Sequence, residues 1–162
     1  MTNVLVGIGR PGAGDDAAGV VLARLLRRRT PTGWRVFAAE TTPEHFLGAI
    51  ARLAPREVVL ADACEMGEAP GTVKELRANE TTGGSFGTHA PDLAMFEAFL
   101  REAAPEARLR LLAVQPAKLA PGAMSRPVRG AVRRLAEALL SGDAPRAASS
   151  GIFLSRGASG AW

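Results

Sequence analysis

Short apolar runs that alternate with amphipathic helical segments are the feature that most constrains the fold of this chain. Five runs predict β-strands at residues 4–8, 36–39, 58–61, 71–76 and 109–114. Apolar residues at helical spacing fill the intervals at 17–29, after 42, after 91 and after 125. Such alternation is typical of a largely parallel sheet with helices on both faces. We therefore predict a three-layer α/β/α fold with a twisted, mostly parallel five-stranded sheet and one antiparallel edge strand.

The length and composition bound the domain organisation. The 162 residues amount to one domain, which we expect to span residues 1–140. Residues 141–162 are rich in Gly, Ala, Ser and Pro, and we expect a flexible tail there. The single cysteine, Cys64, excludes a disulfide framework and fits a reducing compartment. No apolar run reaches the ~18 residues of a membrane span and no secretion signal is evident, so we expect a cytoplasmic protein with no membrane partner.

The basic charge balance is a weak indication of nucleic-acid binding. The net charge is +4, but the basic residues are nearly all arginines scattered over the predicted helix faces. Aromatic residues make up 5% of the chain and tyrosine is absent, so side chains on which bases could stack are scarce. We therefore expect no nucleic-acid partner.

Two carboxylates and a histidine follow predicted strands or precede a helix at positions where ligands usually bind. In α/β sheets, ligands bind at the carboxyl ends of the strands, where the strand order reverses. Asp16 follows the first strand, Asp62 ends the third, and His89 lies in a Gly-rich loop before the third helix. This donor set suits nickel, zinc or a similar divalent ion, and three ligands leave one position open. Asp15, one residue before Asp16, is expected to cap the following helix.

Two other kinds of site are less favoured. Gly7, Gly9 and Gly12 match a dinucleotide-binding pattern, with Glu40 as the ribose ligand. However, the carboxylates at the start of the following helix would repel a pyrophosphate. Cys64 with a histidine could form a nucleophilic pair, but a single cysteine at a strand end is more typical of a small buried apolar residue.

The order and spacing of several motifs resemble the hydrogenase maturation endopeptidases over residues 3 to about 140. The motifs that carry the resemblance are distributed along the chain: GIG followed by GDD, Asp62 followed by Gly67 and Pro70-Gly71, Thr88-His89, Val114-Gln115-Pro116, and Ser125 with Val128.

The resemblance implies a function as well as a fold. Asp16, Asp62 and His89 fall on the family's metal-recognising positions, and we take them as the catalytic candidates. The implied activity is removal of a short C-terminal peptide from the large-subunit precursor of a nickel–iron hydrogenase. The nickel would be presented by that precursor rather than held as a cofactor. Two alternatives remain: a nucleotide-binding, dehydrogenase-like module that uses the glycine pattern, and a non-catalytic maturation chaperone with the same three residues.

The chain also departs from the family around these residues. Arg10 stands where the family usually has Asn, Ala13 where it often has Arg, and Ala17 and Ala18 replace a Gly-containing stretch. Glu40 opens a Glu-Thr-Thr sequence where an Asp-Gly-Gly-Thr type is usual. Because these changes alter the loops and spare the three site residues, they leave open which precursor is cut.

Overall fold

Strands and helices alternate along the residues that the computed structural model describes, 2–76 and 93–142. The five strands are β1 (Asn3–Ile8), β2 (Trp34–Glu40), β3 (Glu57–Ala63), β4 (Val73–Leu76) and β5 (Arg108–Val114). The four helices are α1 (Ala18–Arg28), α2 (Leu47–Arg52), α3 (Leu93–Ala103) and α4 (Arg126–Ser141). Short 3-10 turns, Gly14–Ala17 and Pro43–Phe46, lead into α1 and α2.

The five strands form one sheet in the order β2-β1-β3-β5-β4. β1 runs parallel to both β2 and β3, and β3 runs parallel to β5. β4 pairs with β5 in the antiparallel direction at one edge. The predicted fold class is confirmed. Because the chain leaves β1 for β2 on one side and returns to β3 on the other, the strand order reverses between β1 and β3.

Two apolar cores cover the two faces of the sheet. α1 and α4 pack on one face through residues such as Leu22 and Leu135, and α2 and α3 pack on the other through Ile50 and Phe96. At the end of α3, Ala103 is exposed and its neighbour Ala104 is buried. α3 ends at Ala103, and the chain there turns back toward the sheet.

Close packing of glycines brings the start of α1 onto the carboxyl edge of the sheet. A Cβ atom at Gly19 would overlap the carbonyl oxygen of Ala61 and would lie 2.5 Å from that of Ile8. A Cβ atom at Gly7 would overlap the carbonyl oxygen of Gly19 and would lie 2.6 Å from the Cβ of Ala23. The first turn of α1 therefore lies directly against the ends of β1 and β3.

Some predictions fall outside the described residues. His89, the Gly-rich loop around it and the first residues of the predicted third helix lie in 77–92, and the predicted tail lies almost entirely in 143–162. These remain predictions from the sequence. Within the two described ranges, no helix combines the length and the apolar character that crossing a membrane requires.

Candidate active site at the ends of β1 and β3

The turn that carries Asp16 is held against β1 by a glycine. Gly9 directly follows β1 and has φ of +129°, a backbone conformation that side-chain-bearing residues rarely adopt. A Cβ atom at Gly9 would overlap the carbonyl oxygen of Asp16. The glycine therefore lets the Gly14–Ala17 turn approach the strand closely, and this approach places Asp16 at the carboxyl edge of the sheet.

The carboxylate of Asp16 is buried and paired with Arg10. The backbone N–H of Arg10 donates to Oδ2 of Asp16 at 3.3 Å, and Nε of the same arginine donates to the same oxygen at 3.1 Å. The side chain of Asp16 is only 6% exposed, whereas that of Arg10 is 52% exposed. The burial of this negative charge is therefore compensated by a cation that itself remains half in solvent.

Asp62 lies beside this pair, near the carboxyl end of β3. It is 2% exposed, and its Oδ1 accepts the N–H of Ala63 at 2.8 Å. Burial raises the pKa of Asp62 to about 8; the hydrogen bond from Ala63 opposes this shift, and the charge of Asp16 adds to it. At pH 7 the carboxyl group is therefore mostly protonated. Two of the three predicted site residues are thus brought together where the strand order reverses.

Asp16 and Asp62 could supply some of the ligands that a divalent cation requires. A cation between two neighbouring carboxyl groups would stabilise the ionised form of both, and oxygen donors suit divalent ions. Within residues 2–76 and 93–142, no group of three His, Cys, Asp or Glu side chains forms a metal cluster. The third predicted ligand, His89, lies outside these residues, so the complete ligand set stays a prediction.

Asp15 does not cap the helix, contrary to the expectation from the sequence. Its Oδ2 accepts the backbone N–H groups of Ala117 at 2.9 Å and Lys118 at 3.4 Å, and its Oδ1 accepts that of Ser125 at 2.6 Å. Asp15 is itself buried. This carboxylate therefore ties the turn that carries Asp16 to the loop before α4.

Ser125 occupies the N-cap position of α4, but its hydroxyl makes no capping hydrogen bond. The Ser125 Oγ is buried and has no hydrogen-bond partner among the described residues. The acceptor at this helix start is the carboxylate of Asp15, whose negative charge also suits the positive end of the helix dipole.

The glycine-rich loop after β1 does not present its N–H groups for a phosphate. The N–H of Gly9 donates to the carbonyl oxygen of Glu40 at 2.8 Å, that of Ala13 to Arg10, and that of Arg10 to Asp16. The Glu40 carboxylate, the expected ribose ligand, pairs with Arg24 at 3.2 Å. The loop thus serves to pack the turn on the strand, and the nucleotide-binding alternative loses its support.

A comparison with protein families decides the classification. The model of the hydrogenase maturation protease family, HycI, matches residues 20–142, which is more than half of the chain. The chain belongs to this family.

Individual members of the hydrogenase maturation protease family are also similar. The Hydrogenase 3 maturation protease of Escherichia coli K12 is 35% identical over 74 residues, 46% of this chain and 47% of that protein. The alignment thus spans about half the length of this curated relative. Among solved structures, the endopeptidase HycI from Escherichia coli has a TM-score of 0.77 at 26% identity, covering 88% of this chain and 92% of its own. The NiFe hydrogenase maturation protease HycI from Thermococcus kodakarensis has a TM-score of 0.76 at 28% identity, covering 86% and 92%. The family resemblance and the fold expected from the sequence are both confirmed.

Gln115 is a further polar residue at this edge of the sheet whose role the sequence did not reveal. It directly follows β5, is 3% exposed, and its Oε1 accepts the N–H groups of Met66 at 2.7 Å and Glu68 at 3.2 Å. Its Nε2 donates to Oε1 of Glu65 at 2.6 Å. This amide therefore fixes the loop that follows Asp62. The signal in the sequence is an uncharged polar residue at the end of a buried apolar strand.

Cys64 is unsuited to act as a nucleophile. It is 2% exposed, and burial, with a contribution from the charge of Asp62, raises the pKa of its thiol. Because the thiolate is the reactive form, a raised pKa makes the residue inert at neutral pH. The interpretation of Cys64 as a small buried apolar residue agrees with this environment.

Proposed function

We propose that this chain is an endopeptidase that removes a C-terminal peptide from the large-subunit precursor of a nickel–iron hydrogenase after nickel has been inserted. Membership of the maturation protease family supports the reaction class. The observation that carries the assignment to these residues is the buried pair of Asp16 and Asp62 where the strand order reverses. Removal of the peptide would activate the hydrogenase.

In this proposal the nickel belongs to the substrate, and Asp16, Asp62 and His89 contact it. The protonated state of Asp62 explains why the metal is needed. A divalent cation favours the charged carboxylate, so its arrival draws the proton from Asp62. A precursor without nickel leaves Asp62 protonated, and this couples the state of the site to the presence of the metal.

The same pair would supply the acid–base chemistry of peptide hydrolysis. The pKa of about 8 describes Asp62 without the metal, and once a cation has drawn off the proton the ionised carboxylate is available as a base. As a base, the ionised Asp62 takes a proton from the water that attacks the scissile carbonyl carbon. The C–N bond then breaks, and the leaving amine receives that proton. This assignment corresponds to an aspartic type of endopeptidase.

Cleavage of purified precursor tests the proposal. The wild-type protein is expected to shorten the nickel-loaded precursor, measured by intact mass, and to leave the nickel-free precursor unchanged. Asp16→Asn and Asp62→Asn are each expected to lower the cleavage rate by about 100-fold or more. Glu137→Gln, which changes an exposed carboxylate on α4, is the control and should cleave normally.

Three outcomes would contradict parts of this proposal. Binding of the nickel-loaded precursor with no change of mass would identify a non-catalytic chaperone. Equal cleavage of nickel-free precursor would remove nickel recognition from the proposal. Cleavage by Asp62→Asn at the wild-type rate would remove that residue from the chemistry.

A further inference from the structure

We infer that Arg10 is a selectivity residue, whose guanidinium competes with a divalent cation for the carboxylate of Asp16. The consequence is that a free cation binds weakly, whereas a cation that arrives within a protein substrate gains further contacts that offset the loss of the ion pair. This inference rests on the proposed function, because it assumes that Asp16 faces the metal.

Two donors of the same residue converge on one oxygen. The backbone N–H and the side-chain Nε of Arg10 both donate to Oδ2 of Asp16. The backbone donor is held in place by its neighbours, since the N–H of Gly9 donates to Glu40 and the carbonyl oxygen of Arg10 accepts the N–H of Ala13. Only the side-chain donor can therefore leave without rearranging the loop.

The difference in burial between the partners makes this ion pair detachable. The Asp16 side chain is 6% exposed and the Arg10 side chain 52% exposed. When the pair breaks, the guanidinium moves into water at little cost, whereas Asp16 is left buried and needs another cation. Asp16 therefore favours the replacement of Arg10 by another cation over the loss of any positive partner.

Arg10 opposes a free cation in two ways. The cation must displace the charge-assisted hydrogen bond from Nε, and it must approach the positive charge of the guanidinium. Because the arginine is half solvated, the combined effect is moderate, and we expect an affinity for free cations about tenfold lower than without the arginine charge.

Titration of the purified protein with zinc chloride, a diamagnetic probe, and with nickel chloride tests the competition directly. Arg10→Gln removes the charge and is expected to bind either cation about tenfold more tightly than the wild type. Arg24→Gln is the matched control, because it removes the same charge from an exposed ion pair with Glu40, and its affinity should stay within about twofold of the wild type. In the wild type, the NMR signal of the Arg10 Nε–H group should shift as zinc binds.

The outcomes separate this inference from the proposed function. Equal affinities of Arg10→Gln and the wild type, or an Arg10 signal that does not shift while zinc binds, would overturn the inference. An absence of measurable cation binding by every variant would also overturn it, and the cleavage of nickel-loaded precursor would then still decide the proposed function. Unchanged cation affinity in Asp16→Asn would instead contradict the assignment of Asp16 as a metal-contacting residue. Circular dichroism of each variant verifies that it is folded.

Discussion

At Asp62, burial and a neighbouring negative charge act in the same direction on one carboxyl group. Both favour the protonated form, which explains a pKa of about 8 in a side chain whose ordinary value is 3.8. Such a group costs stability whenever the unfolded chain would ionise and the folded chain cannot. A protonated Asp62 therefore lowers the free energy of unfolding at neutral pH. Such a loss of stability is common at functional sites.

The stability of the protein should therefore depend on pH through Asp62. The pKa is raised on folding, so the contribution of this residue is fully present below pH 3.8 and is lost as the pH rises toward 8. Asp62→Asn keeps an acceptor for the N–H of Ala63. Its free energy of unfolding, relative to that of the wild type, should increase by about 3 kcal/mol as the pH rises from 5 to 8. Urea unfolding at both pH values measures this difference.

An exposed carboxylate provides the control for that measurement. Glu106 lies on the surface between α3 and β5, and Glu106→Gln should track the wild type at both pH values to within about 0.5 kcal/mol. A constant difference between Asp62→Asn and the wild type across the pH range would show that the carboxyl group titrates normally.

The position of Asp62 in the site is easier to predict from the sequence than the different roles of Asp15 and Asp16. A carboxylate at the exit of a buried apolar strand is costly unless it has a role, so Asp62 was predictable from its neighbours alone. Asp15 and Asp16 are adjacent in one 3-10 turn, and their side chains serve different purposes. Hydrophobic periodicity does not indicate which side chain of a four-residue turn faces the loop before α4 and which faces Arg10. The role of Asp15 was therefore mispredicted.

At the scale of the elements, Asp15 connects the turn before α1 with the loop before α4. Asp15→Asn should lower the free energy of unfolding by about 1–3 kcal/mol, because an amide offers one acceptor oxygen where three backbone N–H groups now converge on two. Hydrogen exchange should accelerate at the amides of Ala117 and Ser125. Urea unfolding measures the change in stability, and NMR measures the exchange rates of the two amides.

The matched control for this change lies on α4 itself. Glu137 is exposed, and Glu137→Gln makes the same chemical change without disturbing the loop, so its stability should stay within about 0.5 kcal/mol of the wild type. Unchanged exchange at Ser125 in Asp15→Asn would contradict the role of this carboxylate as an anchor.

The elements themselves were more predictable from the sequence than their arrangement. Strands buried on both faces appear as continuous apolar runs, so β1, β3 and β5 were found close to their observed bounds. The second helix proved to be a 3-10 turn followed by only six α-helical residues. The strand order and the close approach at Gly9 depend on contacts between residues distant in the chain, which one sequence does not reveal.

At the scale of the whole molecule, the two ends of the sheet hold different polar groups. The candidate site lies at the carboxyl ends of β1 and β3, and a second polar cluster joins β3, β4 and β5 nearer the other end. There the Arg110 guanidinium donates to Glu57 at 3.0 Å and to Glu75 at 2.7 Å. Arg110 is three residues from Ala113, the β5 partner of Asp62, and this places the cluster about 10 Å along the strands from the site.

Arg110 is held charged in this cluster despite its burial. Burial lowers the pKa of Arg110, but the hydrogen bonds and charges of Glu75 and Glu57 outweigh it, so the net shift is upward. The arginine is 7% exposed and its two partners are also largely covered. Removing the cation would leave the Glu57 carboxylate without this counter-charge and Glu75 with only the more distant Arg108, 3.9 Å away, which costs more than the intact cluster contributes.

This separation along the sheet predicts that stability and catalysis can be changed independently. Arg110→Met should lower the free energy of unfolding by about 3 kcal/mol, because Glu57 and Glu75 lose their shared cation. Adding Glu57→Gln and Glu75→Gln should restore part of that loss, since the uncompensated charges are then removed. At temperatures where the variants are folded, both should cleave nickel-loaded precursor with a kcat within about twofold of the wild type. A folded Arg110→Met variant with a much lower kcat would mean that the cluster and the site are coupled through β3 and β5.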